Sequence, residues 1–259
     1  MAEPRVLMIV PTLGTRIDLL RQCLESISSQ DTPADIIIVC PPDVYEVHEL
    51  ADEHHAQVVR DPGSLPAAIN AGAAQIQDHH EFLNWLGDDD LLEPWSLKAT
   101  SAALDANPKA TVAYGACRYI DHENKELWIS KAGNWAPRIL AWGPDLIPQP
   151  GMLVRTSHWQ AVGGVDESLT MAFDLDLLLK LKKRGPLIDT GTIVASFRWH
   201  STSLTASDRS RNLDESELVK RRYLSPLQSR LRWSWEKPVR VATRLAAWEV
   251  QRRAAASAK

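Results

Sequence analysis

Two short apolar runs, Val6 to Val10 and Ile36 to Cys40, bracket a stretch in which Ile17, Leu20, Leu24 and Ile27 recur at three-and-four spacing. The runs have strand length, and the second is rich in β-branched side chains, as strands buried on both faces require. The stripe between them is the one buried side of a helix. Strand, helix and strand in succession leave the chain little choice, because parallel pairing needs a crossover and the helix supplies it. The alternation continues with a predicted helix from Asp43 to His54, a strand at Gln57 to Val59, a helix from Pro66 to Gln77 and a strand at Phe82 to Leu86. The fold class is therefore α/β, with a mostly parallel central sheet flanked by helices. Ligands of such sheets bind beyond the carboxyl ends of the strands. That rule selects Pro11 to Arg16, Pro41 to Asp43, Arg60 to Leu65 and Gly87 to Asp90.

After Asp90 the pattern loosens into a helix near Trp95 to Ala106, a strand near Thr111 to Tyr114, and a Trp- and Pro-rich stretch from Trp128 to Pro150. Order returns with Met152 to Arg155, the Gly163-Gly164 turn and a helix from Asp174 to Arg184, stopped by Gly185 and Pro186. Residues 1–95 are expected to form one half of a domain, 96–205 the other half of the same domain, and 206–259 a basic helical tail. The 29 Lys and Arg against 33 Asp and Glu give a net charge of minus 4, which excludes a surface built throughout to hold nucleic acid. Cys23, Cys40 and Cys117 show no CxxC spacing, so neither a disulfide framework nor a zinc knuckle is expected. The start lacks the pattern of a signal peptide and no apolar run approaches the roughly 20 residues of a membrane span, which together predict a cytoplasmic protein.

Asp88-Asp89-Asp90 follows the fourth apolar strand through Gly87, which places three carboxylates at one strand end. Such a cluster either holds a divalent cation, since hard Mg²⁺ or Mn²⁺ takes oxygen ligands, or is a solvated turn that caps the next helix.

Several further segments resemble family 2 inverting glycosyltransferases of the glycosyltransferase A fold, over residues 5 to 205. Val10-Pro11-Thr12 is similar to that family's opening strand and turn, and Leu24 to Gln30 to its L-x-S-I-x-x-Q helix. Ala68-Ile69-Asn70-Ala71-Gly72 resembles the A-x-N-x-G helix beside the diphosphate. Trp85 to Pro94 resembles the W-L-x-x-D-D-x-L-x-P form of the DxD motif, and Gly163 to Leu169 the G-G-x-D-E-x-L turn. Asp174-Leu175-Asp176-Leu177 stands where the family has D-x-D-L, and Arg198 to Ser203 where it has R-x-H-x-x-S.

The resemblance makes residues 1–95 the nucleotide-sugar-binding half and 96–205 the acceptor-binding and catalytic half, and it implies metal ligation by Asp90 with Asp88 or Asp89, joined by His200, and a catalytic base at Asp174. It assigns donor binding to Pro11, Thr12, Gly14, Arg16, Asp43, Asn70, Asp88 and Asp89. The implied cofactor is Mg²⁺ or Mn²⁺, and the implied donor is a nucleotide-diphosphate sugar of the UDP or dTDP type. A metal would stabilise charge growing on the diphosphate, and a carboxylate would take the acceptor proton. Asp174 and Asp176 lie about 200° apart around a helix, so only one of them can face the site. Asp174 also suits the role of N-cap for its helix. His200 reads equally as a structural residue, and the pairs His54-His55 and His79-His80 as solvated.

Two departures stand out. Many relatives end the second strand in an acidic pair, whereas this chain has Cys40-Pro41-Pro42-Asp43. Gly63-Ser64-Leu65-Pro66 also lacks the basic residue that often approaches the diphosphate. A sugar nucleotidyltransferase and a non-catalytic binding scaffold are the competing functions. The first would want a Gly-rich basic loop after the first strand, of which Pro11 to Arg16 is a poor version. Trp128, Trp135 and Trp142 suit either sugar stacking or core packing.

The tail from Leu218 to Lys259 carries 11 Lys and Arg against Glu236 and Glu249, a local charge of plus 9 that leaves minus 13 on the rest. Interspersed with Trp233, Trp235, Val239, Leu245 and Trp248, those cations suit an anionic membrane surface at the inner face, or packing on the body or on a second subunit of a homodimer. The expected partners are thus a nucleotide sugar and a hydroxyl acceptor, with a lipid-linked saccharide among the candidates, and no nucleic acid.

Overall fold

The computed structural model describes residues 4–131, 133–199 and 209–257, with side chains from 212 to 241 in the last segment. The first half is the expected alternation: β1 (Val6–Pro11), α1 (Ile17–Ser28), β2 (Ala34–Cys40), α2 (Tyr45–Glu53), β3 (Gln57–Arg60), α3 (Leu65–Ala73) and β4 (Phe82–Trp85). These four strands are parallel in the order β3-β2-β1-β4. Their side chains alternate between two apolar layers. Leu7, Ile9, Ile37 and Val39 pack with Ala68 and Ile69 on one face, while Val6, Met8, Val10, Ile36 and Ile38 pack with Leu20, Leu24 and Leu50 on the other. Each fully buried side chain of this size stabilises the fold by about 1.5–3 kcal/mol. All three cysteines are free and buried, as the absent spacing pattern predicted.

Helix α3 stops at Ala73 rather than Gln77. The amide of Gln77, which a longer helix would need to direct back at Ala73, donates instead to His80 Nδ1 at 2.9 Å.

The second half adds β5 (Leu91–Leu92), α4 (Ser96–Ala106), β6 (Val112–Ile120), β7 (Glu126–Ser130), α5 (Ala136–Ile139), β8 (Leu153–Arg155), α6 (Thr156–Val162), α7 (Phe173–Arg184) and β9 (Leu187–Arg198). They extend the sheet to β3-β2-β1-β4-β8-β6-β9-β5, with β7 beside β6. Strand β8 runs antiparallel to β4 and β6, whereas β6 and β9 are parallel. Strand β9 lacks a recognisable pattern because Asp189-Thr190-Gly191-Thr192 interrupts it, and its register against β6 shifts between Tyr114 and Ala116. Two helices close the described chain, α8 (Arg209–Arg221) and α9 (Pro226–Ser257). Helix α8 packs directly on α7.

Candidate active site

The carboxyl ends of β1, β3 and β4 open into a cleft of about 1730 Å³. That exceeds the roughly 300–1,000 Å³ of a small-ligand pocket, so two reactants fit side by side. The cleft is lined by Pro11, Thr12, Arg16 and Asp88 to Asp90, and by Asp145 and Asp174.

The loop after β1 is held by its own polar groups. Thr12 Oγ1 donates to Asp88 Oδ2 at 2.6 Å and accepts from the amide of Gly14 at 2.9 Å. Gly14 has φ +69°, and a Cβ there would sit 2.4 Å from Val44 Cγ1, so its contribution is the loop's shape. Arg16 bridges the acidic turn, with Nη2 on Asp88 Oδ1 at 2.6 Å and Nη1 on Asp89 Oδ2 at 2.5 Å. Both oxygens of Asp88 are therefore engaged within the protein.

Asp90 is only 4% exposed. Its Oδ1 accepts from the amide of Arg198 at 2.9 Å, and the Arg198 guanidinium donates to the Asp89 carbonyl at 3.0 Å and the Asp121 carbonyl at 2.9 Å. Burial, then the neighbouring Asp89 charge, push the Asp90 carboxyl well above the usual range, and burial likewise raises Asp88. Gly87 leaves a gap beside these oxygens. A Cβ there would lie 2.9 Å from Asp90 Oδ2 and 3.2 Å from Asp89 Oδ1. Hard oxygens facing a gap only glycine leaves open, in a turn with three carboxylates and two nearby guanidiniums, fit a divalent cation. Arg16 engages Asp88 and Asp89 alike, and the Asp89 Oδ1 and Asp90 Oδ2 oxygens border the space at Gly87. His200 lies outside the described residues.

Asp174 sits half-buried in the first turn of α7 and lines the cleft. Burial raises its carboxyl to about 6, although the amide of Leu175 donates to Oδ1 at 2.7 Å. It is not the N-cap, a position held by Ala172, whose side chain cannot accept a hydrogen bond. Asp176 faces away. It is fully buried, accepts from Tyr223 Oη at 2.7 Å and pairs with Lys180 Nζ at 2.9 Å. Asp145 opens into the cleft while desolvated by the surrounding wall, and that desolvation with the Asp174 charge lifts it to about 7.

Three assigned donor residues do not line the cleft: Gly14, which shapes the loop after β1, Asp43 and Asn70. Asp43 is exposed outside the cleft, because the chain turns away at Pro41-Pro42. Asn70 spends its side chain on the Gly163-Gly164 turn, accepting from the amide of Val165 at 3.1 Å and donating to the Val165 carbonyl at 3.0 Å and to Glu167 at 2.8 Å. Asp61, next to β3, lines the cleft instead and was signalled only by its place in a strand-end loop. Asp145, Glu217, Lys220, Trp235 and Arg240 also reach the cleft without a local sequence signal. Of the three tryptophans, Trp128 and Trp142 line the cleft, with Trp128 stacked on Tyr119 at 4.2 Å, whereas Trp135 does not.

The pair His79 and His80 is not solvated. His80 is 4% exposed, and both rings face Asp35 Oδ2, at 3.2 Å and 2.9 Å. Because the Gln77 amide donates to His80 Nδ1, neutral His80 carries its proton on Nε2 and donates it to Asp35. That tautomer serves a latch between the amino ends of β2 and β4 and is the wrong one for ligating a metal through Nε2.

A family model described as Glycosyl transferase family 2 matches residues 8–160. The curated O-antigen biosynthesis protein RfbC of Myxococcus xanthus is 24% identical over 190 residues, which cover 70% of this chain and 15% of that protein. Among solved structures, S. aureus TarS 1-349 in complex with UDP-GlcNAc superposes with TM-score 0.64 at 15% identity, over 83% of this chain and 65% of that one. The mannosyltransferase PcManGT from Pyrobaculum calidifontis, in complex with GDP-Man and Mn²⁺, superposes with TM-score 0.66 at 18% identity, over all of this chain and 76% of that one. The chain thus spans less than two thirds of RfbC and of the TarS fragment, and the structural likenesses establish the fold.

Proposed function

The chain belongs to glycosyl transferase family 2, and from that premise we propose that it moves a sugar from a nucleotide-diphosphate sugar to an acceptor hydroxyl with inversion at the anomeric carbon. The observation that carries this is one cleft lined by the Asp88 to Asp90 turn and by Asp174, a first-turn carboxylate of α7 that burial raises to about 6, with Asp145 beside it raised to about 7. Asp174 takes the proton of the acceptor hydroxyl as its oxygen bonds to the anomeric carbon. The bond to the diphosphate breaks on the opposite side, and the diphosphate leaves with the electron pair. Asp89 and Asp90 would hold Mg²⁺ or Mn²⁺, which when bound supplies positive charge against the departing diphosphate. Thr12 and Arg16 keep the acidic turn and the loop after β1 in register for the nucleotide.

The donor proposed is of the UDP or dTDP type. Asp61 supports it, since a carboxylate at the cleft accepts from the imino N–H of uracil or thymine; guanine also offers such a donor, so GDP-sugars belong in the trial. Incubation with UDP-glucose, UDP-N-acetylglucosamine, dTDP-rhamnose and GDP-mannose in Mn²⁺ is expected to release nucleoside diphosphate from one of them. Release of pyrophosphate would instead indicate a nucleotidyltransferase, and no release from any donor a binding scaffold. The RfbC likeness supports a place in polysaccharide or glycolipid synthesis.

Helix α9 supports a membrane-surface location. Its inner side places Trp235, Glu236, Val239 and Arg240 on the cleft. Away from the cleft it exposes Leu227 (68%), Leu231 (46%), Trp233 (74%) and Val241 (55%) among Arg230, Arg232 and Lys237. Among the described residues no helix is long and apolar enough to cross a membrane. Apolar side chains set among cations bind an anionic interface. The full chain is expected to co-sediment with phosphatidylserine-containing vesicles, and the triple variant Leu227→Glu, Leu231→Glu, Trp233→Glu to lose at least about 10-fold in binding. Equal sedimentation of the two would remove the membrane from the account.

A further inference from the structure

We infer that Glu215, on α8 and outside the stretch matched by the family model, is a positioning residue that builds the turn from which Asp174 reaches the cleft. One carboxylate accepts three consecutive backbone amides. Thr170 donates to Oε1 at 2.9 Å, Ala172 to Oε2 at 2.7 Å, and Met171 also to Oε2. These amides belong to the segment that enters α7.

The need for such a clamp follows from the local sequence. A helix starts with orphan amides, ordinarily met by Ser, Thr, Asp or Asn at the N-cap. Here the N-cap is Ala172; Asp174 accepts from its own and the Leu175 amide inside the first turn, and Glu215 takes the Ala172 amide with the two amides before the helix. The anion comes from a helix more than 40 residues further along the chain, where it also meets the positive end of the α7 dipole. Other bonds hold α8 in place. Lys220 Nζ donates to the Gly143 carbonyl at 2.6 Å, Arg222 pairs with Asp166 at 2.9 Å, and Tyr223 donates to Asp176 two residues beyond Asp174. The turn bearing Asp174 is thus fastened before and after by one C-terminal segment. Glu215 is also a charge, and it adds to the burial that holds Asp174 above the ordinary carboxylate range. Other charged groups lining this part of the cleft are Asp145, beside Asp174, with Lys220, the Glu217 and Arg240 pair at 3.0 Å, the Arg221 and Glu236 pair, and Glu167.

The inference rests on Asp174 being the base, and the test separates the two. With whichever donor the wild-type chain turns over, Glu215→Ala is expected to lower kcat on the order of 10²-fold with donor KM within about twofold, because a misplaced base costs turnover rather than donor binding. Glu215→Gln keeps an oxygen for the amides but no charge. It should recover most of the turnover and move the acid limb of the pH profile to lower pH. Amide exchange across residues 170–175 of the full chain should quicken in the Ala variant and stay near wild type in the Gln variant. Unchanged kcat and pH profile in Glu215→Ala, or unchanged exchange at those amides, would overturn the inference. If the wild-type chain releases nucleotide from no donor, the proposed function fails, and the exchange measurement alone decides the clamp.

Discussion

Replacing Asp174 by Asn is expected to abolish sugar transfer while leaving nucleotide affinity within about threefold of wild type. A general base contributes roughly 10² to 10⁴ in rate, and Asp174 lies on α7, outside the loop after β1 and the acidic turn to which nucleotide binding is proposed. Its carboxyl titrates near 6, so wild-type turnover should rise with pH through that value as the base loses its proton. The same shift has a sign for stability. A carboxyl raised in the folded state favours the protonated form, so it stabilises the fold below the unfolded value near 3.9, and this contribution is lost as pH rises through about 6. At pH 7.5 the Asn variant escapes the desolvated charge, and its Tm should equal or exceed that of wild type. A large fall in Tm together with lost nucleotide binding would make Asp174 a structural residue.

The second large effect is expected at Asp90. Asp90→Asn should lower transfer by about 10² to 10³-fold and remove the Mn²⁺-dependent part of nucleoside diphosphate binding, measured by calorimetry with and without the metal. Asp88→Asn gives the contrast. Asp88 accepts from Thr12 and Arg16, so its loss should loosen the loop after β1 and weaken nucleotide binding equally with and without Mn²⁺. If the two variants lose metal dependence alike, the assignment of Asp89 rather than Asp88 as the partner of Asp90 fails.

Part of this structure could be read directly from residues. The strands β1 and β2 carry continuous apolar runs and β4 one broken only by Asn84, all buried on both faces, and the stripe of α1 has one period throughout, so local pattern and tertiary environment agree. Strand β9 could not be read. Its first half is polar and bulged, and it is a strand because β6 lies beside it. The acidic turn and Asp174 were legible as motifs. Asn70 shows the limit of that kind of inference, since an amide in a motif associated with the diphosphate fastens the Gly164 turn, where φ is +69° and a Cβ would sit 2.5 Å from Asn70 Oδ1. Glu215 had no local signal, because a cap supplied from another helix leaves no mark near the residues it caps. The net charge of minus 4 likewise concealed a segregation: the basic tail closes the catalytic cleft with α8 and turns part of α9 outward.

The central claim is a single displacement in which Asp174 acts as the sole base. Proton NMR of the first sugar product, followed from the start of the reaction with the accepted donor, tests it most directly. The account predicts an anomeric configuration opposite to that of the donor, with nucleoside diphosphate formed in equal amount. A product that retains the donor's configuration would contradict it, because retention requires a second nucleophile or front-face attack, for which Asp174 as base makes no provision.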